Sequence, residues 1–277
     1  MKRILLPTDF SDIAEYALKY AANLAEKYSA EIVALYMINR EDAFLSRKEA
    51  MELYENIDYH KRINDSFKKF LDKDFLEGIK VSTEIKRQVE FEKITDLTDN
   101  LNVDLIVMGS HGAHGVGGMF IGSNAEKVIR TSEVPVLVVK KTQPFFKLKK
   151  VIMACDLNLD MVEAFKKAKK FLRDNSLDYE MVYVNTPEDF LSTGLMQTEV
   201  NKFFAEQGIR EADIDDKVIF YNDFNIEAGI FNYADEVKAD LIVLLTHGRK
   251  GLARLIYNSY GEKMANHSDI PVLTVKA

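Results

Sequence analysis

The chain is written twice. Ile4-Leu5-Leu6-Pro7-Thr8-Asp9 is echoed by Val151-Ile152-Met153-Ala154-Cys155-Asp156. Asp104-Leu105-Ile106-Val107-Met108-Gly109-Ser110-His111-Gly112 is echoed by Asp240-Leu241-Ile242-Val243-Leu244-Leu245-Thr246-His247-Gly248. Val134-Pro135-Val136-Leu137-Val138-Val139-Lys140 is echoed by Ile270-Pro271-Val272-Leu273-Thr274-Val275-Lys276. Three matched blocks in the same order, at an interval too long for a solenoid, imply duplicated domains. With 277 residues, 47% of them hydrophobic, each half can bury its own core. The expected organisation is a first domain over 1–141, a linker over 142–149 carrying Pro144 and several lysines, and a second domain over 150–277.

Within the first half, two apolar periods alternate. Residues 3–8 read as a short buried strand. Asp12 with Glu15 reads as a capping box, and Ile13, Ala17, Ala21 and Leu24 recur at helical spacing to about Lys27. Strands are expected at 32–38, 79–87, 103–108 and 134–140, and helices within 41–75 and over 90–101 and 123–132. Alternating strands and helices imply βαβ crossovers and a parallel sheet covered on both faces. The second half follows the same order, except that helix and loop are not separable by pattern over 186–214. In such a sheet, ligands sit outside the carboxyl ends of the strands, where the strand order reverses. Asp9 follows the first strand and Gly109 the fourth, so neighbouring strands would bring both loops to one crevice.

Residues 104–123 carry the clearest chemistry. The apolar run Leu105 to Met108 ends in a glycine-rich loop that opens a helix at Ser123. A strand, a glycine loop and a helix start together can hold a phosphate, because bare backbone N–H groups and the positive end of the helix face the anion. The spacing is Gly109-x2-Gly112-x9-Gly122-Ser123. No Gly-Lys-Ser/Thr follows, which excludes a P-loop, and Phe120 breaks the dinucleotide G-x-G-x-x-G pattern. Gly115, Gly117 and Gly118 read as residues of turn flexibility.

Composition removes several function classes. A net charge of −7 argues against a broad nucleic-acid footprint. Cys155 is the single cysteine, so no internal disulfide forms, and no Cys/His cluster has metal-ligand spacing. Pro7 cuts the first apolar run after three residues, and no segment approaches a membrane span. The expectation is a cytoplasmic protein with neither membrane nor nucleic-acid partner.

The tandem blocks, the Pro7-Thr8-Asp9 turn, the G-x2-G-x9-G-[S/T] loop and the Val-Pro-Val-Leu-Val-Val closing strand resemble the universal stress protein family. The resemblance covers the whole chain as two copies. It implies two doubly wound α/β domains, each with five parallel strands in the order 3-2-1-4-5. It also implies ATP, or ADP or AMP, in the crevice, with Mg²⁺ accompanying the nucleotide. Two such domains would pair through their last strands, here inside one molecule, and tandem chains could further form a homodimer.

Carried over to this sequence, Pro7, Thr8 and Asp9 would lie near the ribose or adenine, and the backbone near Met37 would read the adenine edge. Met108, Gly109, Ser110, His111 and Gly112 would line the ribose and phosphates. Gly122, Ser123 and Asn124 would cradle the phosphates. The residues allow blander readings too: Asp9 as a turn residue, His111 as a packing residue, Cys155 as an inert buried thiol. The second copy departs from the pattern, with Leu245 in place of Gly109 and Asn258 in place of Gly122, while Gly248 and Ser259 persist. One competent site per chain is therefore expected. The implied function is a nucleotide-dependent stress-response regulator acting through an unidentified protein partner, with ATP biasing the order of loop 110–122. A slow ATP hydrolase or phosphotransferase, and an adaptor without nucleotide, are the alternatives.

Overall fold

The computed structural model describes residues 1–38, 57–87, 94–110, 122–140, 148–214, 217–246 and 270–277. Their elements fall into two compact units. The first comprises β1 (Arg3–Pro7), α1 (Asp12–Tyr28), β2 (Glu31–Ile38), α2 (Ile57–Leu71), β3 (Val81–Arg87), α3 (Ile94–Asn100), β4 (Leu105–Gly109), α4 (Ser123–Thr131) and β5 (Val136–Val139). The second comprises β6 (Val151–Ala154), α5 (Val162–Asp174), β7 (Tyr179–Asn185), α6 (Thr193–Ala205), β8 (Val218–Asn222), α7 (Ile226–Glu236), β9 (Leu241–Thr246) and β10 (Val272–Lys276).

Every strand pair within a unit is parallel. The first unit's order is β3-β2-β1-β4-β5, and the second runs β8-β7-β6-β9-β10, the same arrangement in duplicate. Central strands carry unbroken apolar runs because both faces are covered: Ile4, Leu5 and Leu6 of β1 and Val151, Ile152 and Met153 of β6 are all inaccessible to solvent. Helix α1 turns a stripe of small residues, Ala14, Ala17, Ala21 and Ala25, toward the interior, which allows close approach to the sheet.

One repeated device fixes the start of each first strand. The Asp104 carboxylate accepts the Arg3 amide (3.0 Å), and the Asp240 carboxylate accepts the Lys149 and Lys150 amides (3.0 Å each). This is why an aspartate precedes the apolar run in both copies.

The expected elements are present, with instructive shifts. The cap of α1 is Ser11, whose hydroxyl accepts the Ala14 amide (3.3 Å), so the Asp12–Glu15 capping box is not formed. Asp12 is instead the first helical residue, and Glu15 turns to Lys73 (2.6 Å) and Lys19 (3.5 Å). Of the helical region expected over 41–75, the described part is α2 and a short turn of 3₁₀-helix, Asp74–Leu76. The ambiguous stretch 186–214 separates into a loop, α6 and a second 3₁₀ turn, Glu211–Asp213.

Candidate functional site

The strand order reverses between β1 and β4, which are hydrogen-bonded neighbours. Three chain segments meet at their carboxyl ends. The first is the turn after β1. Thr8 continues the ladder, its amide donating to the Leu35 carbonyl (2.9 Å), while its hydroxyl accepts the Phe10 amide (3.0 Å). The exposed Asp9 carboxylate accepts the Ser11 amide (3.1 Å). These two local bonds force Phe10 into the left-handed region at φ 62°. A bulky residue enters that region at some conformational expense. The Phe10 ring gains a stack on Tyr36 (5.1 Å between centroids) and an edge contact with Phe67 (5.0 Å), which offset the strain.

The second segment is the end of β4. Gly109 pairs with Val139, and the Ser110 amide donates to the Val139 carbonyl (2.8 Å). A Cβ on Gly109 would come within 2.7 Å of Ile13 Cγ2, on the first turn of α1. Glycine is thus required here by the seating of α1 on β4, which presses the turn after β1 against the end of β4. The resemblance gives this glycine a place along the ribose and phosphates, and the sequence pattern does not show its packing partner on α1.

The third segment is the start of α4. Gly122, not Ser123, is the N-cap, with extended backbone and no side-chain cap bond, so Ser123 is the first helical residue. The Gly122 amide donates to the Ser110 carbonyl (2.7 Å). That bond fastens the helix N-terminus to the end of β4. The first-turn amides of a helix have no acceptor within the helix, and its N-terminal end carries partial positive charge. Ser123 and Asn124 are exposed there and Ser110 is buried.

The β2 edge completes the geometry. Leu35 turns its carbonyl toward β1, and alternation along the strand sends the N–H and C=O of Met37 to the same edge. Strand β1 ends at Pro7, opposite Leu35, so Met37 lies past its end. The side chains of Met37 and Met108 are buried, and the Met108 backbone lies on the edge paired with β5, in line with Ile106 and Ser110, whose amides donate to the Pro135 and Val139 carbonyls. Pro7, Thr8, Asp9, Met37, Met108, Gly109, Ser110, Gly122, Ser123 and Asn124 therefore belong to one end of one sheet. His111 and Gly112, with the rest of loop 111–121, lie outside the described residues. Ile13 and Phe10 were missed by the sequence reading. The Thr-Asp-x-Ser run, whose short polar side chains favour such local bonds, was the available signal for Phe10.

The second unit repeats the turn but alters the crevice. The Cys155 amide donates to Val182 (3.1 Å) and its sulfur accepts the Leu157 amide (3.3 Å), matching Thr8. The Asp156 carboxylate accepts the Asn158 amide (3.1 Å), matching Asp9, and Leu157 has φ 59°. Burial pushes the Cys155 thiol up to about 12, the bond from the Leu157 amide offsetting only part, and its sulfur serves as the acceptor of the turn. At the Gly109 position stands Leu245, paired with Val275. At the Ile13 position stands the exposed Asp160, within a 3₁₀ turn, Leu159–Met161, that precedes α5. The large residue has moved from helix to strand, and the helix start has been rebuilt. His247, Gly248, Asn258 and Ser259 lie outside the described residues.

Among the described residues, no His, Cys, Asp and Glu group could hold a metal ion, and no helix is long and apolar enough to cross a membrane.

Two parallel, doubly wound α/β units, the first with a helix start fastened beside its strand-order reversal, define a tandem protein of the doubly wound α/β class. The sequence model of the universal stress protein family matches residues 1–140 and again 147–276. The chain belongs to that family, in a tandem form. It is 34% identical over 141 residues to a universal stress protein of Methanocaldococcus jannaschii, spanning 50% of this chain and 82% of that one. A universal stress protein of Synechocystis matches over the full length of both chains at 25% identity. Among solved structures, a universal stress protein from Archaeoglobus fulgidus superposes with a TM-score of 0.71, covering 99% of this chain and 96% of that chain at 20% identity, a likeness of fold.

Proposed function

We propose that the first unit binds an adenine nucleotide, ATP in particular, and that the protein is a cytoplasmic stress-response regulator carrying one such site per chain. The observation that supports this reading best is the bond from the Gly122 amide to the Ser110 carbonyl. It holds a helix N-terminus at the point where strand order reverses, beside the turn after β1. The first-turn amides of Ser123 and Asn124 would receive phosphate oxygens, and the Ser123 hydroxyl would add a donor. The donor and acceptor of the Met37 backbone suit the N1 and N6 edge of adenine. Asp9 follows β1, which lies between β2 and β4, so it would sit near the ribose or adenine, and its carboxylate would help hold Mg²⁺ arriving with the nucleotide. In the second unit, Leu245 places a side chain where the first unit has none, so the reading assigns no equal site there.

Mass spectrometry of small molecules released by denaturing the purified, undialysed protein, followed by titration with ATP, tests the proposal. About one equivalent of adenine nucleotide per chain is expected. Recovery of ADP alone after loading with ATP would convert the reading to a slow hydrolase. An empty preparation that also fails to take up ATP would leave the adaptor reading.

A further inference from the structure

The second unit carries a surface that the nucleotide site does not explain. Five large apolar side chains are exposed among the described residues, and four of them, Leu159, Phe190, Leu195 and Phe224, belong to the second unit. All four lie in segments that follow the carboxyl ends of β6, β7 and β8, which are adjacent in the sheet. Phe224 is 86% exposed and Phe190 68%. Bulky aromatic side chains so placed mark contact surfaces more often than scattered surface residues do.

The surface is held in place. The buried Asn185, last residue of β7, donates to the Leu191 carbonyl (3.2 Å) and accepts the Leu191 amide (2.9 Å). It also donates to the Asn222 side chain (3.0 Å). These bonds tie the loop bearing Phe190 to the end of β8, two residues before Phe224. Phe165 of α5 meets Phe203 (5.4 Å) and Phe204 (5.8 Å) of α6, packing together the helix that follows the Leu159 turn and the helix whose first turn carries Leu195.

The three segments that bear these side chains carry charge of one sign. Segments 155–162, 186–198 and 222–228 contain no lysine or arginine, in a chain that has 37 of them. They carry Asp156, Asp160, Glu188, Asp189, Asp223 and Glu227. Burial, then Asp189, Asp156 and Glu199, hold the Tyr183 hydroxyl above its ordinary value, so acids from two of these segments and from α6 act together on β7. A field of this sign repels phosphate-bearing partners, including nucleotides, nucleic acids and anionic lipid, and attracts cations.

We propose that the carboxyl end of the second unit's sheet docks a basic amphipathic segment of a partner protein, with Phe190 and Phe224 as apolar anchors and Glu188, Asp189 and Asp223 facing its cations. The degenerate copy is on this account a protein-binding module. The inference does not depend on the nucleotide reading.

The test is fluorescence anisotropy of the full chain with a labelled model peptide bearing lysines and leucines at helical spacing, beside a control with glutamate at each lysine. Saturable binding of the lysine peptide is expected, weakening with salt and falling at least about tenfold in Phe190→Ser/Phe224→Ser, while the glutamate peptide does not bind. Both side chains are exposed, so the variant's thermal melt should match the parent's, and Glu188→Lys/Asp189→Lys gives an independent charge reversal. Equal binding by parent and both variants, or equal binding of the glutamate peptide, overturns the proposal. So does concentration-dependent self-association that Phe224→Ser abolishes, which would make the occupant a second copy.

Discussion

Substituting Gly109 by alanine asks what that glycine is for. The new Cβ would lie 2.7 Å from Ile13 Cγ2 and 3.4 Å from the Ile13 carbonyl carbon and oxygen. Ile13 is β-branched in the first turn of a helix, so its Cγ2 cannot swing away cheaply. The first turn of α1 must move, and overpacking of this kind costs about 1–3 kcal/mol. Ile13→Ala removes the clashing methyl and, at a half-buried position, costs about 1–2 kcal/mol by itself. In the Ile13→Ala background, Gly109→Ala should then cost less than about 0.5 kcal/mol, a coupling large enough for a double-mutant cycle. Urea unfolding of the four proteins supplies the energies, read from the transition that Gly109→Ala shifts. ATP affinity, weakened in Gly109→Ala as α1 is displaced toward the crevice, should recover in the double variant. An equal cost of Gly109→Ala in both backgrounds would refute the packing argument and return the glycine to the ligand.

The duplicated turn supplies an internal control for Asp9: Asp9→Ala and Asp156→Ala should each cost about 1 kcal/mol in thermal stability, and only Asp9→Ala should weaken ATP binding. Equal ATP affinity in the two variants would restrict Asp9 to a turn role. Gly122→Pro suits the backbone, at φ −72°, but deletes the amide donated to Ser110; ATP affinity measured by calorimetry should fall by up to about tenfold. Glu180 is buried, which raises its pKa, but bonds from Lys217, Lys150 and Tyr233 outweigh burial and hold its carboxyl at about 2. A pKa depressed on folding stabilises fully above the unfolded value near 4.5, and the benefit fades as pH falls toward 2. The contribution at neutral pH is on the order of 2–3 kcal/mol, and Glu180→Gln should flatten stability against pH across that window. Cys155 should resist thiol reagents until the chain unfolds, and Cys155→Thr, which copies Thr8, should be better tolerated than Cys155→Ala.

The fold was readable from sequence because parallel strands buried on both faces appear as short apolar runs, and because the duplication supplied each run twice. Asp104 and Asp240 recur because each clamps the start of its domain's first strand. Helix α1 was placed correctly by the helical recurrence of Ile13, Ala17, Ala21 and Leu24, while its cap was misplaced by one residue. Ser11 and Asp12 are both good caps by type, and only backbone geometry separates them. The elements that converge on the crevice were also legible, since Asp9, Gly109 and Gly122 follow or open recognisable elements. Tertiary neighbours were not. That Gly109 answers to Ile13 depends on a contact across 96 residues of chain, and the copy with Leu245 has an exposed Asp160 in place of this isoleucine. Phe10 at φ 62° was hidden for a related reason: the strain is local, but the ring contacts that offset it come from β2 and α2.

Equilibrium dialysis of the full chain against labelled ATP with Mg²⁺ most directly tests the central claim, that one copy keeps a nucleotide site and the other has lost it. Saturation at about one ATP per chain, with binding weakened by Gly122→Pro and unchanged by Asp156→Ala, is the predicted result. Saturation at two equal sites, or no binding at millimolar ATP, would contradict it.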